Sequence, residues 1–128
     1  MPMVVALLIV ALATIGCAPG PQTVTLTIRY SGFDVTELQV PRGVPLTLVL
    51  VNDDPIDHEW LIGDAELHEA HRTGTHDAHG EIPTEVTVPA LQTVETTITF
   101  DEAGTFPYVC HLPGHEAYGM VGILTVSD

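Results

Sequence analysis

Apolar and polar positions alternate with a period of two over most of the chain. Between Thr23 and Tyr30 the even positions are apolar and the odd positions are polar, which is typical of a half-buried β-strand. Similar alternation, or a short run of β-branched and other apolar residues, recurs later in the chain. These further runs lie at residues 35–40, 46–52, 59–62, 85–88, 93–100, 105–110 and 121–126.

Turn-forming residues separate these runs, and no long amphipathic helix interrupts them. The turn signals are Ser31-Gly32, Pro41-Arg42-Gly43, Asn52-Asp53-Asp54-Pro55, Pro89-Ala90 and Glu102-Ala103-Gly104. Seven or eight short strands at this spacing predict an all-β protein, an antiparallel Greek-key β-sandwich.

One stretch, residues 63–83, lacks the alternation and is rich in His, Asp and Glu; we call it the histidine-rich insertion. Asp64 can cap a helix that runs to about Arg72, and Gly74 can end it. The insertion is therefore predicted to be partly helical and to connect two strands.

The first 17 residues resemble a secretion signal. Residues Val4 to Ile15 form an apolar run of twelve, too short to span a bilayer but as long as the hydrophobic part of a signal peptide. Gly16-Cys17 and a loose linker at 18–22 follow, as in a lipoprotein signal whose cysteine, here Cys17, becomes lipidated. The alternative is a secretory signal that is cut without lipidation. Both predict that the domain, residues 23–128, lies outside the cytoplasm and meets a membrane only through this segment.

The charge of the chain is strongly acidic: 17 Asp and Glu face three Lys and Arg, for a net charge of -14. Binding to nucleic acid requires a basic surface, so this composition excludes a nucleic-acid partner. Hydrophobic residues make up 45% of the chain, enough for one folded domain with its own core.

Candidate metal ligands are concentrated in the last quarter of the chain. Cys110, His115 and Met120 lie on one predicted loop that leaves a strand. Thiolate, imidazole and thioether together favour copper, and two His with one Cys and a distant Met form a blue-copper site. His58 is the best candidate for the second imidazole, because a Greek-key sandwich brings an early strand end beside the final loop.

At these residues the chain resembles the cupredoxin family, the small blue copper proteins such as plastocyanin, auracyanin and rusticyanin. The resemblance covers roughly residues 23–126 and is most specific in the run Phe100-x3-Gly104-x-Phe106-x-Tyr108-x-Cys110-x4-His115-x4-Met120-x-Gly122. It implies one type 1 copper ion held by His58, Cys110 and His115, with Met120 as the axial ligand. A two-copper site is not expected, because Pro113 and Gly114 stand where a second cysteine would be needed.

Two residues next to the ligands bear on this resemblance. Glu59 follows the first ligand, where the family often has an Asn whose side chain ties the two ligand segments together, so the resemblance leaves that tie open. His111 follows Cys110 and should point away from the thiolate. We expect it to face solvent, and a role in electron exit has no support from the sequence.

The histidine-rich insertion is a candidate for a second metal site. His68 and His71 are three residues apart, and His76 and His79 repeat the spacing among several carboxylates. Such a cluster can hold a second Cu(II) or Zn(II), although the spacing matches no closed zinc motif. The alternative is a solvated acidic loop with incidental histidines.

Two functions are consistent with these features. The resemblance implies a carrier of single electrons whose acidic charge favours a redox partner with a basic docking patch. The alternative is a periplasmic copper-binding protein for copper capture, delivery or resistance, with the insertion as an auxiliary site. Enzymatic activity is not expected, since the chain has neither a second cupredoxin domain nor the paired His-x-His motifs of a catalytic copper cluster.

Overall fold

A computed structural model describes residues 20–74 and 81–128. The predictions for Cys17, His76 and His79 lie outside these residues. The described chain forms ten strands and one helix. In chain order they are β1 Gln22–Arg29, β2 Gly32–Phe33, β3 Glu37–Pro41, β4 Leu46–Asn52, β5 His58–Ile62, α1 Ala65–Thr73, β6 Glu81–Ile82, β7 Glu85–Val88, β8 Thr93–Ile98, β9 Gly104–Val109 and β10 Val121–Ser127.

The strands form two sheets, one of four strands in the order β2-β1-β4-β8 and one of six in the order β3-β10-β9-β5-β7-β6. This confirms the predicted all-β sandwich. Eight strands have four or more residues, and β2 and β6 are two-residue additions. The pairs β1–β4 and β3–β10 are parallel and the others are antiparallel, a difference from the wholly antiparallel sandwich of the prediction. Alternation along a strand indicates which side chains face inward, but it does not indicate which strand lies next to it. The sequence therefore could not predict the two parallel pairs.

The core lies between the two sheets and follows the alternation in the sequence. In β4, Leu46, Leu48 and Leu50 are fully buried, and the residues between them are half-buried. They pack with apolar residues of the other sheet, among them Trp60 and Leu124. The two inner faces thus supply the rigid body on which the loops at the strand ends are fixed.

Helix α1 forms where the sequence predicted it, with both predicted ends confirmed. The Asp64 side chain accepts a hydrogen bond from the Leu67 amide at 2.8 Å, and Gly74 ends the helix with a left-handed φ of 67°. The helix contacts β9 of the six-stranded sheet, where the ring of His68 lies 3.1 Å from the Pro107 carbonyl oxygen. In the described part of the chain, no helix has the length and apolar character needed to cross a membrane.

Tyr108 in β9 is buried in the core, where it contacts Val35 and lies opposite β10. Its hydroxyl donates a hydrogen bond to the Val35 carbonyl at 2.5 Å, and its ring contacts those of Phe33 and Trp60. Gly122 lies directly opposite Tyr108 in β10. A Cβ atom on Gly122 would overlap the Tyr108 ring, so glycine is needed there for space rather than for its backbone conformation.

Gly122→Ala is expected to lower the free energy of unfolding by about 1–3 kcal/mol, the usual cost of overpacking. Urea denaturation followed by Trp60 fluorescence measures it. Gly104→Ala is the matched control, because a Cβ there meets only the Phe106 ring at an ordinary 3.4 Å. Equal stability losses in the two variants would contradict this account.

Candidate metal centre

Three potential metal ligands converge at one end of the sandwich. The ligand atoms of His58, Cys110 and His115 all lie within 4.8 Å of one another. The His115 Nδ1 is 3.2 Å from the His58 Nδ1 and 3.3 Å from the Cys110 Sγ. Among the residues that the structure describes, this is the only such group of three or more.

His58 is held at the start of β5 with a defined ring orientation. Its side chain is fully buried, and its Nε2 lies 2.9 Å from Oδ2 of Asp54. A carboxylate accepts hydrogen bonds only, so the proton is on Nε2 and the lone pair of Nδ1 points toward His115. This is the tautomer that a metal-binding imidazole needs.

Cys110 follows β9 and is buried, and it forms no disulfide. Its sulfur accepts a hydrogen bond from the Glu59 amide at 3.4 Å. Burial raises the pKa of the thiol, and amide hydrogen bonds from Glu59 and Leu112 oppose that rise. The thiolate therefore forms readily only when a cation compensates its burial.

The loop from Cys110 to Met120 is closed by its own backbone. The Cys110 amide donates to the Met120 carbonyl at 3.1 Å, and the Met120 amide donates to the His115 carbonyl at 3.1 Å. Met120 is fully buried and directly precedes β10. These two hydrogen bonds hold Cys110, His115 and Met120 close together in one compact loop.

Glu59 provides the tie between the two ligand segments that the resemblance left open. Its Oε2 accepts a hydrogen bond from the His111 amide at 3.1 Å, while its own amide donates to the Cys110 sulfur. Burial is the main cause of a raised pKa for this carboxyl. A glutamate thus makes the link for which the resemblance suggested an Asn side chain.

The donor set fits a copper ion. Two imidazole nitrogens and one sulfur lie close together, in a pocket that buries His58 and Cys110 completely. Burial, followed by the neighbouring His58, lowers the pKa of His115, so its ring is also available in the neutral form. Two histidines and one cysteine are the trigonal ligands of blue-copper centres.

A second group of histidines lies where helix α1 meets the ligand loop. It consists of His68 and His71 of the helix and His111 of the loop. The His68 Nδ1 is 2.9 Å from the His111 Nε2, and the ring of His71 stacks on that of His111 with centroids 5.6 Å apart. The His111 side chain is only 6% exposed, so the expectation that it faces solvent was wrong. Alternation along the strand correctly turned it away from the thiolate, but the sequence did not show that the helix covers this side.

Burial favours the neutral form of His68 and His111. It lowers the pKa of His111 to about 4 and also lowers the pKa of His68. Since the Pro107 carbonyl can only accept, the His68 proton is on Nε2, and its Nδ1 accepts from the His111 Nε2–H. His68 and His111 thus form a hydrogen-bonded contact between the helix and the ligand loop.

A salt bridge adds to this contact at the surface. The Arg72 guanidinium binds the Glu116 carboxylate in a bidentate manner, with N–O distances of 2.7–3.0 Å. It lowers the pKa of Glu116. Because Glu116 follows His115, the last turn of α1 is fixed to the middle of the ligand loop.

The sequence profile of the Cupredoxin-like domain matches residues 2–126. The chain belongs to the cupredoxin family. This agrees with the two-sheet fold and with the His, Cys and His group at one end of it, and it confirms the family and the fold class predicted from the sequence.

Two characterised proteins are similar to this cupredoxin in sequence. The copper-resistant cuproprotein CopI of Rubrivivax gelatinosus is 33% identical over 97 residues, which cover 73% of this chain and 59% of that protein. The chain thus spans less than two thirds of that relative. Auracyanin-A of Chloroflexus aurantiacus is 31% identical over 114 residues, covering 75% of this chain and 70% of the relative.

The solved structure of auracyanin A, described as a "blue" copper protein from the green thermophilic photosynthetic bacterium Chloroflexus aurantiacus, is similar in fold. The TM-score is 0.66 at 28% identity, and the match covers 84% of this cupredoxin and all of that chain. The fold is therefore shared with a protein described as a "blue" copper protein.

The structure brings together His58, Cys110 and His115, three of the four ligands named from the sequence. The fourth, Met120, is joined to Cys110 and His115 by backbone hydrogen bonds. The structure separates His68 and His71 from that group, and His76 and His79 lie outside the described residues. Sequence reasoning missed two residues, Asp54 and Glu59, as partners of the ligands. For Asp54 a signal was present: it precedes His58 by four positions in a segment that was interpreted only as a turn.

Arg72→Gln is expected to loosen the ligand loop while changing global stability by less than about 1 kcal/mol, because the salt bridge is exposed. Hydrogen–deuterium exchange should become faster at the loop amides of His115, Tyr118 and Gly119. Arg42→Gln is the control, since Arg42 pairs with the C-terminal Asp128 at 3.5 Å. Unchanged loop exchange in the Arg72 variant would show that α1 does not restrain the loop.

Proposed function

We propose that this cupredoxin binds one copper ion as a type 1 centre and carries single electrons between redox partners. His58, Cys110 and His115, together with Met120, would hold the ion. The observation that carries the proposal is the convergence of two imidazole nitrogens and one thiol within 4.8 Å. When bound, copper supplies a one-electron couple between Cu(I) and Cu(II).

The protein's part in this chemistry is to hold the ligands still. Cu(I) and Cu(II) prefer different geometries, so ligands that cannot move keep the reorganisation between the two states small. Here the ligand segments are tied by Glu59, closed by the backbone of the loop, and supported from the side by α1. Complete burial of His58, Cys110 and Met120 excludes water from three of the four ligands.

His115 is the ligand closest to solvent. It is only half-buried, and its loop neighbours Pro113, Gly114, Ala117 and Tyr118 are exposed. A redox partner that docks on this loop would meet the copper site at its least buried ligand. The net charge of -14 favours a partner with a basic docking patch and makes the encounter sensitive to salt.

A second candidate function is copper capture, delivery or resistance outside the cytoplasm. It is favoured by the similarity to a protein named copper-resistant cuproprotein CopI. In this case His68, His71, His76 and His79 of the histidine-rich insertion form an auxiliary site for a second Cu or Zn. Location outside the cytoplasm, with a lipid anchor at Cys17, stays a prediction from the signal-like segment.

Cys110→Ser is expected to abolish the intense visible band of the Cu(II)-loaded protein, because that band arises from the thiolate bound to copper. A double variant, His68→Ala with His71→Ala, should lose stability, since both rings pack against His111, but should keep the band. Absorption and EPR spectra of the copper-loaded proteins measure this. A Cys110→Ser protein that keeps the band would contradict the ligand assignment.

Copper counting separates the two candidate functions. An electron carrier should bind one Cu(II) per chain, and the intense band should be complete at one equivalent. A copper-handling protein should bind further Cu(II) with an ordinary tetragonal EPR signal. That signal should disappear in the double variant. Titration of the wild-type protein with Cu(II), followed by metal analysis after gel filtration, decides between them.

A further inference from the structure

We propose that Asp54 is a positioning residue for the metal centre: its carboxylate orients His58 and, through that ring, stabilises Cu(II) relative to Cu(I). The inference rests on the copper site proposed above. It concerns a residue that binds no metal, four positions before the first ligand, and it predicts a change in reduction potential rather than in ligand identity.

The contact is short, buried and specific to one oxygen. Oδ2 of Asp54 lies 2.9 Å from Nε2 of His58, on the side of the ring opposite the metal-facing Nδ1. The Asp54 residue is 7% exposed and the His58 side chain is fully buried. Water therefore screens this hydrogen bond little.

Asp54 is itself fixed by backbone groups from another part of the sheet. Its Oδ1 accepts from the Tyr30 amide at 2.7 Å, and its Oδ2 accepts from the Ser31 amide at 2.8 Å. Tyr30 and Ser31 form the turn between β1 and β2, with φ values of 54° and 53°. Positive φ at two successive non-glycine residues is costly, and it is the conformation that aims both amides at one carboxylate.

Asn52 fixes the backbone that carries Asp54. Its Oδ1 accepts from the Asp54 amide at 3.0 Å, and its Nδ2 donates to the carbonyls of Ile56, Val88 and Pro89 at 2.8–3.1 Å. The Asp54 backbone is thus held in place by Asn52, and turning the carboxylate away from His58 would break its hydrogen bonds to the Tyr30 and Ser31 amides.

The electrostatic consequence has a definite sign. A carboxylate that accepts the Nε2 proton makes the imidazole a stronger donor at Nδ1. Its negative charge also lies one imidazole ring away from the metal position. Both effects favour the more highly charged Cu(II), so they lower the reduction potential. A neutral acceptor at the same place would orient the ring without this shift.

The test compares the reduction potentials of copper-loaded wild type, Asp54→Asn and Asp53→Asn. Asp53→Asn is the matched control: it removes the same charge from the next residue, whose carboxylate pairs with Arg29 at the surface at 2.6 Å. The ratio of Cu(II) to Cu(I) affinity should fall roughly tenfold in Asp54→Asn. This raises the potential by about 59 mV for a one-electron couple. The control should shift much less.

Equal potentials in Asp54→Asn and Asp53→Asn would overturn the inference while leaving the copper site intact. Absence of the intense band from the wild-type protein would instead overturn the proposed function. The two failures are therefore distinguishable. Asp54→Glu keeps the negative charge, so its reduction potential should lie closer to that of the wild type than the potential of Asp54→Asn does.

A measurement on the wild type keeps the inference testable even where Asp54→Asn does not fold. In the diamagnetic Cu(I) form, ¹⁵N-edited NMR should show a slowly exchanging proton on Nε2 of His58. Its resonance should lie downfield, as expected for a proton donated to a carboxylate. A His58 Nε2 proton that exchanges rapidly with water would contradict the contact with Asp54.

Discussion

The hydrogen bonds between Glu59 and the Cys110–His111 segment are the contacts on which the metal centre depends. One residue donates its amide to the ligand sulfur and accepts the next amide with its carboxylate. These bonds join β5 to the end of β9, which pair directly only at Leu61 and Ile62. Without this connection, the start of β5, which carries His58, would lose its hydrogen bonds to the segment that carries Cys110 and His111.

The partners of the ligands are arranged around the site on different sides. Asp54 and the β1–β2 turn hold His58 from one side, and helix α1 holds the loop through His68 and Arg72 from another. The sandwich core lies beneath, with Trp60 and Tyr108 in contact close to the ligand strands. Each support uses buried or bidentate polar contacts, which constrain direction as well as distance. Such constraint supports the proposed electron-transfer role, in which one ligand geometry serves two oxidation states of copper.

The insertion between β5 and β7 has a structural role in the described residues. Its helix buries His68 against His111 and places Arg72 on Glu116. The histidines that suggested a metal site from their spacing are, for this half of the insertion, part of the packing between helix and loop.

The sequence by itself determined the class of fold, the boundaries of α1 and the ligand-bearing loop. Alternation reports burial directly, capping residues mark helix ends, and Cys110, His115 and Met120 are close in the chain. Only the tertiary structure decided the parallel pairs β1–β4 and β3–β10, the burial of His111, and the roles of Glu59 and Asp54. These depend on which segments meet across the sandwich, and the local pattern of a strand or a turn does not encode its distant neighbour.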